Sequence, residues 1–141
     1  MHFIYFAYGS NMNSKQMENR CPGAIFISQA RVNGWSYFIN GNGYAGIEEN
    51  LNSYTLGCVW KLSETHFKSL DEYEAVNEGY YHRTLIQASL LPSGIEKETV
   101  VYLSNNRTYG KPSQHYQEEV VEGAKQLGLP NDYIQMLLKL N

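Results

Sequence analysis

Charge is scarce in this chain. Lys, Arg, Asp and Glu make up 18% of its 141 residues while hydrophobic residues make up 43%, whereas an ordinary globular protein is about 25% charged. Such a balance excludes extended disorder, which needs many charges and few apolar groups. Positive charge is the scarcer sign: 11 Lys and Arg face 14 Asp and Glu, for a net charge of −3. With no basic run and no basic helix face, nucleic acid is not expected as a partner. Cysteine is limited to Cys21 and Cys58, far apart and in unrelated contexts, which excludes a disulfide framework and reads as two reduced thiols. Long apolar runs are missing too; no stretch approaches the roughly 20 residues of a membrane span, so no membrane partner is expected. The apolar opening, His2 to Ala7, lacks a charged n-region and reaches Gly9 and Ser10 too soon for a secretory signal, which places the expected location in the cytoplasm. A chain of this length buries about 70% of its unfolded surface as one domain, here residues 1–141, needing neither metal nor disulfide.

What the chain has in excess is tyrosine, with 12 residues. Tyrosine favours half-buried strands and pockets with a polar end, so the excess points to sheet and leaves a site open. Residues 2–8 read as a buried strand that stops at Gly9-Ser10-Asn11. Ser14 to Arg20 reads as a short helix capped by Ser14 and ended at Cys21-Pro22-Gly23. Ala24–Val32 and Trp35–Asn40 flank Asn33-Gly34, a dipeptide suited to a two-residue hairpin turn because both positions accept positive φ. Strands are expected next at Tyr44–Glu49 and Tyr54–Lys61, then a helix from Ser63 to about Glu74. Tyr80–Leu90 and Glu98–Leu103 form a second hairpin around Pro92-Ser93-Gly94. Tyr116, Val120, Ala124 and Leu127 recur at helical spacing before Gly128 and Pro130, and a last helix runs from Asn131 to Leu140. Hairpin order with short helices inserted predicts an α+β class, with a mainly antiparallel, barrel-like mixed sheet.

Most short motifs fail on context. Gly41-Asn42-Gly43-Tyr44-Ala45-Gly46 fits the dinucleotide pattern, but Ile47 to Ser53 is too short and too rich in turn formers for a crossover helix, so the motif reads as a glycine-rich strand connection. His2, His66, His82 and His115 show no metal-ligand spacing, and neither metal nor organic cofactor is expected. Ser10 lacks the flanking glycines of a nucleophile elbow, since Tyr8 and Met12 occupy those positions. Asn106-Arg107-Thr108, a formal glycosylation sequon, reads as a turn.

Two features pass. In Tyr8-Gly9-Ser10-Asn11, glycine allows close backbone approach, and successive N–H groups near a helix start can hold a carboxylate; a plain strand-to-helix turn is the competing reading. At about 100° per residue, Glu74 falls between Phe67 and Leu70 on the apolar side of its helix, while Glu72 points away. A carboxylate in apolar surroundings has a raised pKa and can take and return a proton near neutrality. The competing readings are that the helix stops before Glu74, or that Arg83 or a hydroxyl pairs with it.

With these residues in view, the chain resembles the γ-glutamylcyclotransferase family, including its avirulence-induced-gene-like members, over nearly its whole length. Phe6-Ala7-Tyr8-Gly9-Ser10-Asn11-Met12 is similar to the family's substrate loop, and Met17-Glu18-Asn19-Arg20-Cys21-Pro22-Gly23-Ala24 to the segment after it. Gly57-Cys58-Val59-Trp60 and Leu70-Asp71-Glu72-Tyr73-Glu74 resemble the strand and helix that bring in the catalytic glutamate, and Tyr80-Tyr81-His82-Arg83 and Pro112-Ser113-Gln114-His115-Tyr116 resemble further blocks. Ala75 departs from the pattern, since many members have glycine there. The resemblance implies a γ-glutamylcyclotransferase-like fold and a cofactor-independent enzyme that releases 5-oxoproline and a free amine from a small γ-glutamyl substrate. It implies Glu74 as the catalytic acid/base and Tyr8, Gly9, Ser10, Asn11, Met12, Asn13 and Tyr116 as substrate-binding residues. Some relatives dimerise, which leaves a homodimer open. A hydrolase or acyltransferase on the same scaffold, and a non-catalytic module binding γ-glutamyl ligands, are the alternatives.

Overall fold

The computed structural model describes residues 2–140. Five strands close into a barrel in the order β1-β3-β2-β4-β5, formed by β1 (His2–Ala7), β2 (Ile25–Ile39), β3 (Ala45–Ser63), β4 (Tyr81–Leu90) and β5 (Glu96–Ser104). Neighbouring strands are antiparallel except at the seam, where β1 meets β5 in parallel at Tyr5 and Val100. This is the mixed, mainly antiparallel barrel expected from the hairpin order. Phe6, Val32, Cys58, Val59, Leu62 and Val101 are fully enclosed and form the core. Four short helices pack around the barrel: α1 (Ser14–Arg20), α2 (Glu64–Tyr73), α3 (Gln114–Leu127) and α4 (Asn131–Leu138).

The Asn33-Gly34 hairpin does not form. β2 runs straight through it, with Gly34 at φ +84 producing an irregularity in the pairing with β3. Asn33 lies opposite Tyr54 but Trp35 opposite Glu49, so residues 50–53 of β3 project as an excursion in which Leu51 is 95% exposed. The two strands read at 44–49 and 54–61 are therefore one. Positive φ serves a bulge as well as a turn, and the long-range partner decides between them. The β2–β3 turn instead lies at the glycine-rich connection, where the Asn40 side chain accepts from the N–H groups of Asn42 and Tyr44, both at 3.0 Å.

The helix starts follow side-chain capping. Asn13, not Ser14, caps α1, its Oδ1 accepting from Lys15 N at 3.0 Å and Gln16 N at 3.4 Å. Ser63 caps α2 in a capping box closed by the His66 imidazole. α2 stops at Tyr73, and Glu74 is its C-cap, with Glu74 N still donating to Leu70 O at 2.7 Å. α3 begins at the Ser113 cap and ends at Gly128 in the left-handed region, as the sequence suggested.

α3 sits close to the single 3₁₀ turn at Ser10–Met12 because Gly123 has no side chain. A Cβ there would come 2.8 Å from Asn13 N and 2.9 Å from the Met12 carbonyl carbon. Both are backbone atoms and cannot swing aside. In an ordinary helix, Gly→Ala stabilises by about 1 kcal/mol. Gly123→Ala is expected to reverse that sign and destabilise by about 1–3 kcal/mol, measured by urea unfolding.

Candidate active site

One end of the barrel holds a cavity of about 410 Å³. The chain leaves β1 there and turns through the 3₁₀ helix, and residues at the C-terminal end of α2 line the same space. Eight of the 12 tyrosines line it: Tyr5, Tyr8, Tyr44, Tyr73, Tyr80, Tyr81, Tyr102 and Tyr116. The tyrosine excess thus belongs to a site as well as to the sheet.

Most of the deep hydroxyls are tied to the frame. Tyr8 OH donates to Tyr102 O at 2.6 Å and Tyr81 OH to Ala45 O at 2.6 Å. Tyr116 OH accepts from Ala45 N at 3.2 Å, and Tyr102 OH donates to Asp71 Oδ1 at 2.7 Å. Burial pushes Tyr5, Tyr8, Tyr81, Tyr102 and Tyr116 well above the usual phenol range. They therefore stay neutral at any physiological pH and form a wall that is polar in detail but uncharged.

Glu74 is the acidic residue of this wall. It is half-buried, open to the cavity and hemmed in elsewhere, and among the described residues its carboxyl has no hydrogen-bond or ion-pair partner. Arg83, the partner considered from sequence, pairs instead with Asp71 at 3.1 Å. Burial lifts the Glu74 carboxyl from the ordinary carboxylate range to about 7, against the opposing pull of the Arg20 guanidinium. The helix ends before Glu74, but the cap conformation still directs it to the cavity; Glu72 is exposed. Ala75 comes next at φ +51, the left-handed region that glycine adopts without cost and alanine does not.

Of the other expected binding residues, Tyr8, Gly9, Ser10, Asn11 and Tyr116 line the same cavity. Gly9 meets Tyr116: an added Cβ would lie 3.1 Å from the Tyr116 hydroxyl and 3.1 Å from Ala45 Cβ. Met12 and Asn13 lie elsewhere. The Met12 side chain is buried in the core, and Asn13 is occupied by capping α1 and by donating to Glu119 O at 3.2 Å. Their N–H groups close the 3₁₀ turn onto Gly9 O at 3.0 Å and Ser10 O at 3.1 Å. That leaves the N–H groups of Gly9, Ser10 and Asn11 without partners among the described residues. Residues that sequence reasoning passed over include Asn40, whose amide donates to Ser104 Oγ at 2.9 Å and Tyr81 OH at 3.4 Å below the cavity. Arg20 is another, and nothing in local periodicity marks it. No three His, Cys, Asp or Glu side chains gather as metal ligands among the described residues.

The AIG2-like family model matches residues 55–137. Gamma-glutamylcyclotransferase of Mus musculus is 32% identical over 145 residues, covering 96% of this chain and 77% of the mouse protein. The Homo sapiens gamma-glutamylcyclotransferase is 32% identical over 146 residues, with the same coverage of 96% and 77%. A solved structure of a gamma-glutamyl cyclotransferase superposes with a TM-score of 0.92 at 30% identity, covering 100% of this chain and 89% of that one.

Two outcomes are expected for the residues at the end of α2. A carboxyl raised to about 7 in the folded state releases its proton near 4.5 in the unfolded chain. Between these values the folded state holds the extra proton, so this contribution is full below 4.5 and is lost as pH rises through 7. Glu74→Gln is therefore expected to be more stable than wild type by about 2 kcal/mol at pH 8, with the difference closing toward pH 4.5, in urea unfolding at both pH values. Ala75→Gly is expected to raise stability by about 0.5 kcal/mol and Ala75→Val to lower it by more than about 1 kcal/mol, since a β-branched residue fits the left-handed region worst.

Proposed function

We propose, for a chain that belongs to the AIG2-like family of gamma-glutamylcyclotransferases, that the tyrosine-lined cavity binds a γ-glutamyl amide and Glu74 moves the protons of its cyclisation. The substrate's α-amine attacks its own γ-carbonyl carbon. One C–N bond forms, the original amide C–N bond breaks, and the products are 5-oxoproline and a free amine. No water is consumed. Because nucleophile and electrophile sit in one molecule, the protein has only to fold the glutamyl chain into attack geometry, where effective molarities of about 10⁵ M or more are reached.

Protons are the remaining obstacle. The α-amine is largely ammonium at neutral pH, and an amide nitrogen leaves poorly without a proton. One carboxylate beside both atoms takes the first proton and delivers it to the second site. The observation that carries this reading is the unpaired Glu74 carboxyl in the same cavity as the free N–H groups of Gly9, Ser10 and Asn11. A proton affinity near 7 leaves Glu74 able to accept and return within one turnover. The three N–H groups would hold the α-carboxylate and polarise the γ-carbonyl, each well-placed oxyanion donor contributing about 3–4 kcal/mol. Tyr116, set against Tyr44 edge to face with ring centres 5.1 Å apart, would flank the glutamyl chain. Met12 and Asn13 support this loop from behind and are not assigned to the substrate. Cys21 and Cys58, both buried free thiols, suit a reducing compartment, and the reaction is assigned to the cytoplasm.

Glu74→Gln keeps the size of the side chain and removes its proton. Turnover of a γ-glutamyl amide, followed as 5-oxoproline, is expected to fall by about 10²–10⁴-fold in kcat with KM little changed. Glu72→Gln, on the exposed side of α2, should retain wild-type turnover. Near-normal 5-oxoproline release by the Glu74 variant would reject the assignment, and free glutamate as the product would point to hydrolysis instead.

A further inference from the structure

We propose that Arg20 is a positioning residue for this reaction, locking the Ser10–Asn11 turn to the end of α2 so that the loop's N–H groups and Glu74 face one substrate. This rests on the function proposed for Glu74 above. Arg20 is the last residue of α1, where a cation would ordinarily serve the helix dipole and a lysine would do as well. Its contacts lead elsewhere. Nη1 donates to Ser10 Oγ at 3.0 Å and to Asn11 Oδ1 at 2.5 Å, and its Cζ lies 3.4 Å from the centre of the Tyr73 ring. One planar group thus joins the end of α1, the 3₁₀ turn and the residue before Glu74.

These contacts complete a frame that is otherwise already fixed. Asn11 Nδ2 donates to Tyr5 OH at 2.9 Å, and Asn11 O accepts from Trp60 Nε1 at 3.1 Å. Arg20 takes the remaining side-chain acceptor of Asn11. Ser10, itself buried, has its Oγ turned to the same guanidinium. A lysine keeps the charge but lacks the planar group that donates to Ser10 and Asn11 while lying over the Tyr73 ring, so charge and geometry are separable by substitution.

The guanidinium also acts on Glu74 as a charge. The groups facing Glu74 are Tyr5 from β1, Tyr8 just after it, Tyr81 from β4, Tyr116 from α3, Tyr73 from its own helix, and Arg20 from α1. Glu119 of α3 acts on Tyr73 beside it. The tyrosines remain neutral through the working range, so Arg20 is the cation of this set and holds down a carboxyl that burial raises.

The experiment compares Arg20→Lys and Arg20→Gln with wild type by the pH dependence of kcat/KM, by kcat and KM separately, and by ¹³C NMR titration of Glu74, assigned by difference from Glu74→Gln. In Arg20→Gln, the acid limb of kcat/KM and the NMR midpoint are both expected to move up by about one pH unit. In Arg20→Lys the midpoint should stay at its wild-type position, while kcat falls by roughly tenfold to a hundredfold through the misplaced loop. A merely structural arginine would lower the melting temperature in both variants without moving the midpoint in either, and that result overturns the proposal. So does an Arg20→Lys enzyme with wild-type kcat. The NMR midpoint does not depend on turnover; if Glu74→Gln proved active, the function proposed for Glu74 would fail while the Arg20 coupling would still be measured.

Discussion

A carboxyl group stripped of most of its water and given no internal partner is the constraint around which this molecule is arranged. Such a group is unfavourable to fold around, and its proton affinity rises because the neutral form is the one the surroundings tolerate. Every other feature of the barrel mouth bears on it. The end of α2 is drawn into a left-handed residue at Ala75 immediately after Glu74, and the cation that acts on it, Arg20, is engaged with Ser10, Asn11 and Tyr73. Had that cation formed a direct ion pair, the carboxyl would stay ionised and lose its capacity to carry a proton. The arrangement costs local stability and leaves a carboxyl whose proton affinity lies near neutrality.

Tyrosine suits the walls of such a cavity. It supplies a large, rigid apolar ring, and its hydroxyl can be anchored to backbone carbonyls, as Tyr8 and Tyr81 are. Because burial keeps Tyr5, Tyr8, Tyr81, Tyr102 and Tyr116 neutral, these phenols add no negative charge to compete with Glu74. The β2–β3 turn and the 3₁₀ turn then bring backbone into the same space, where N–H groups offer polarity without mobile charge.

Much of this was legible in the sequence, for physical reasons that differ by residue. Glu74 stood out because helical geometry is local: Phe67 and Leu70, both now seen to be buried, define a side on which a carboxylate is out of place. The Gly9 turn was legible because a strand that ends on glycine, serine and asparagine has few other conformations. Asn33-Gly34 misled because the same φ preference satisfies a turn and a bulge, and the choice rests with β3, whose excursion at residues 50–53 no local pattern announces. Ser14 and Asn13 are both competent caps, and local sequence does not choose between them; Asn13 caps α1 at the point where Gly123 of α3 lies against its backbone. Arg20 was hidden because its partners lie 9, 10 and 53 residues away and meet only in three dimensions. Met12 and Asn13 belong to a contiguous motif, yet the 3₁₀ turn rotates one into the core and the other onto α1.

The seam between the first and last strands bears on how the protein comes into being. Tyr5 meets Val100, 95 positions further along the chain, and the cavity needs Tyr116 as well. Closing so long a loop is a late and entropically costly event, driven only once the distant partner has emerged. During synthesis, therefore, a chain that stops before β5 cannot close the barrel, and one that stops before α3 lacks the Tyr116 wall of the cavity around Glu74. The enclosure of Glu74 thus waits on residues far along the chain, so an incomplete product of the ribosome carries the side chain without its surroundings.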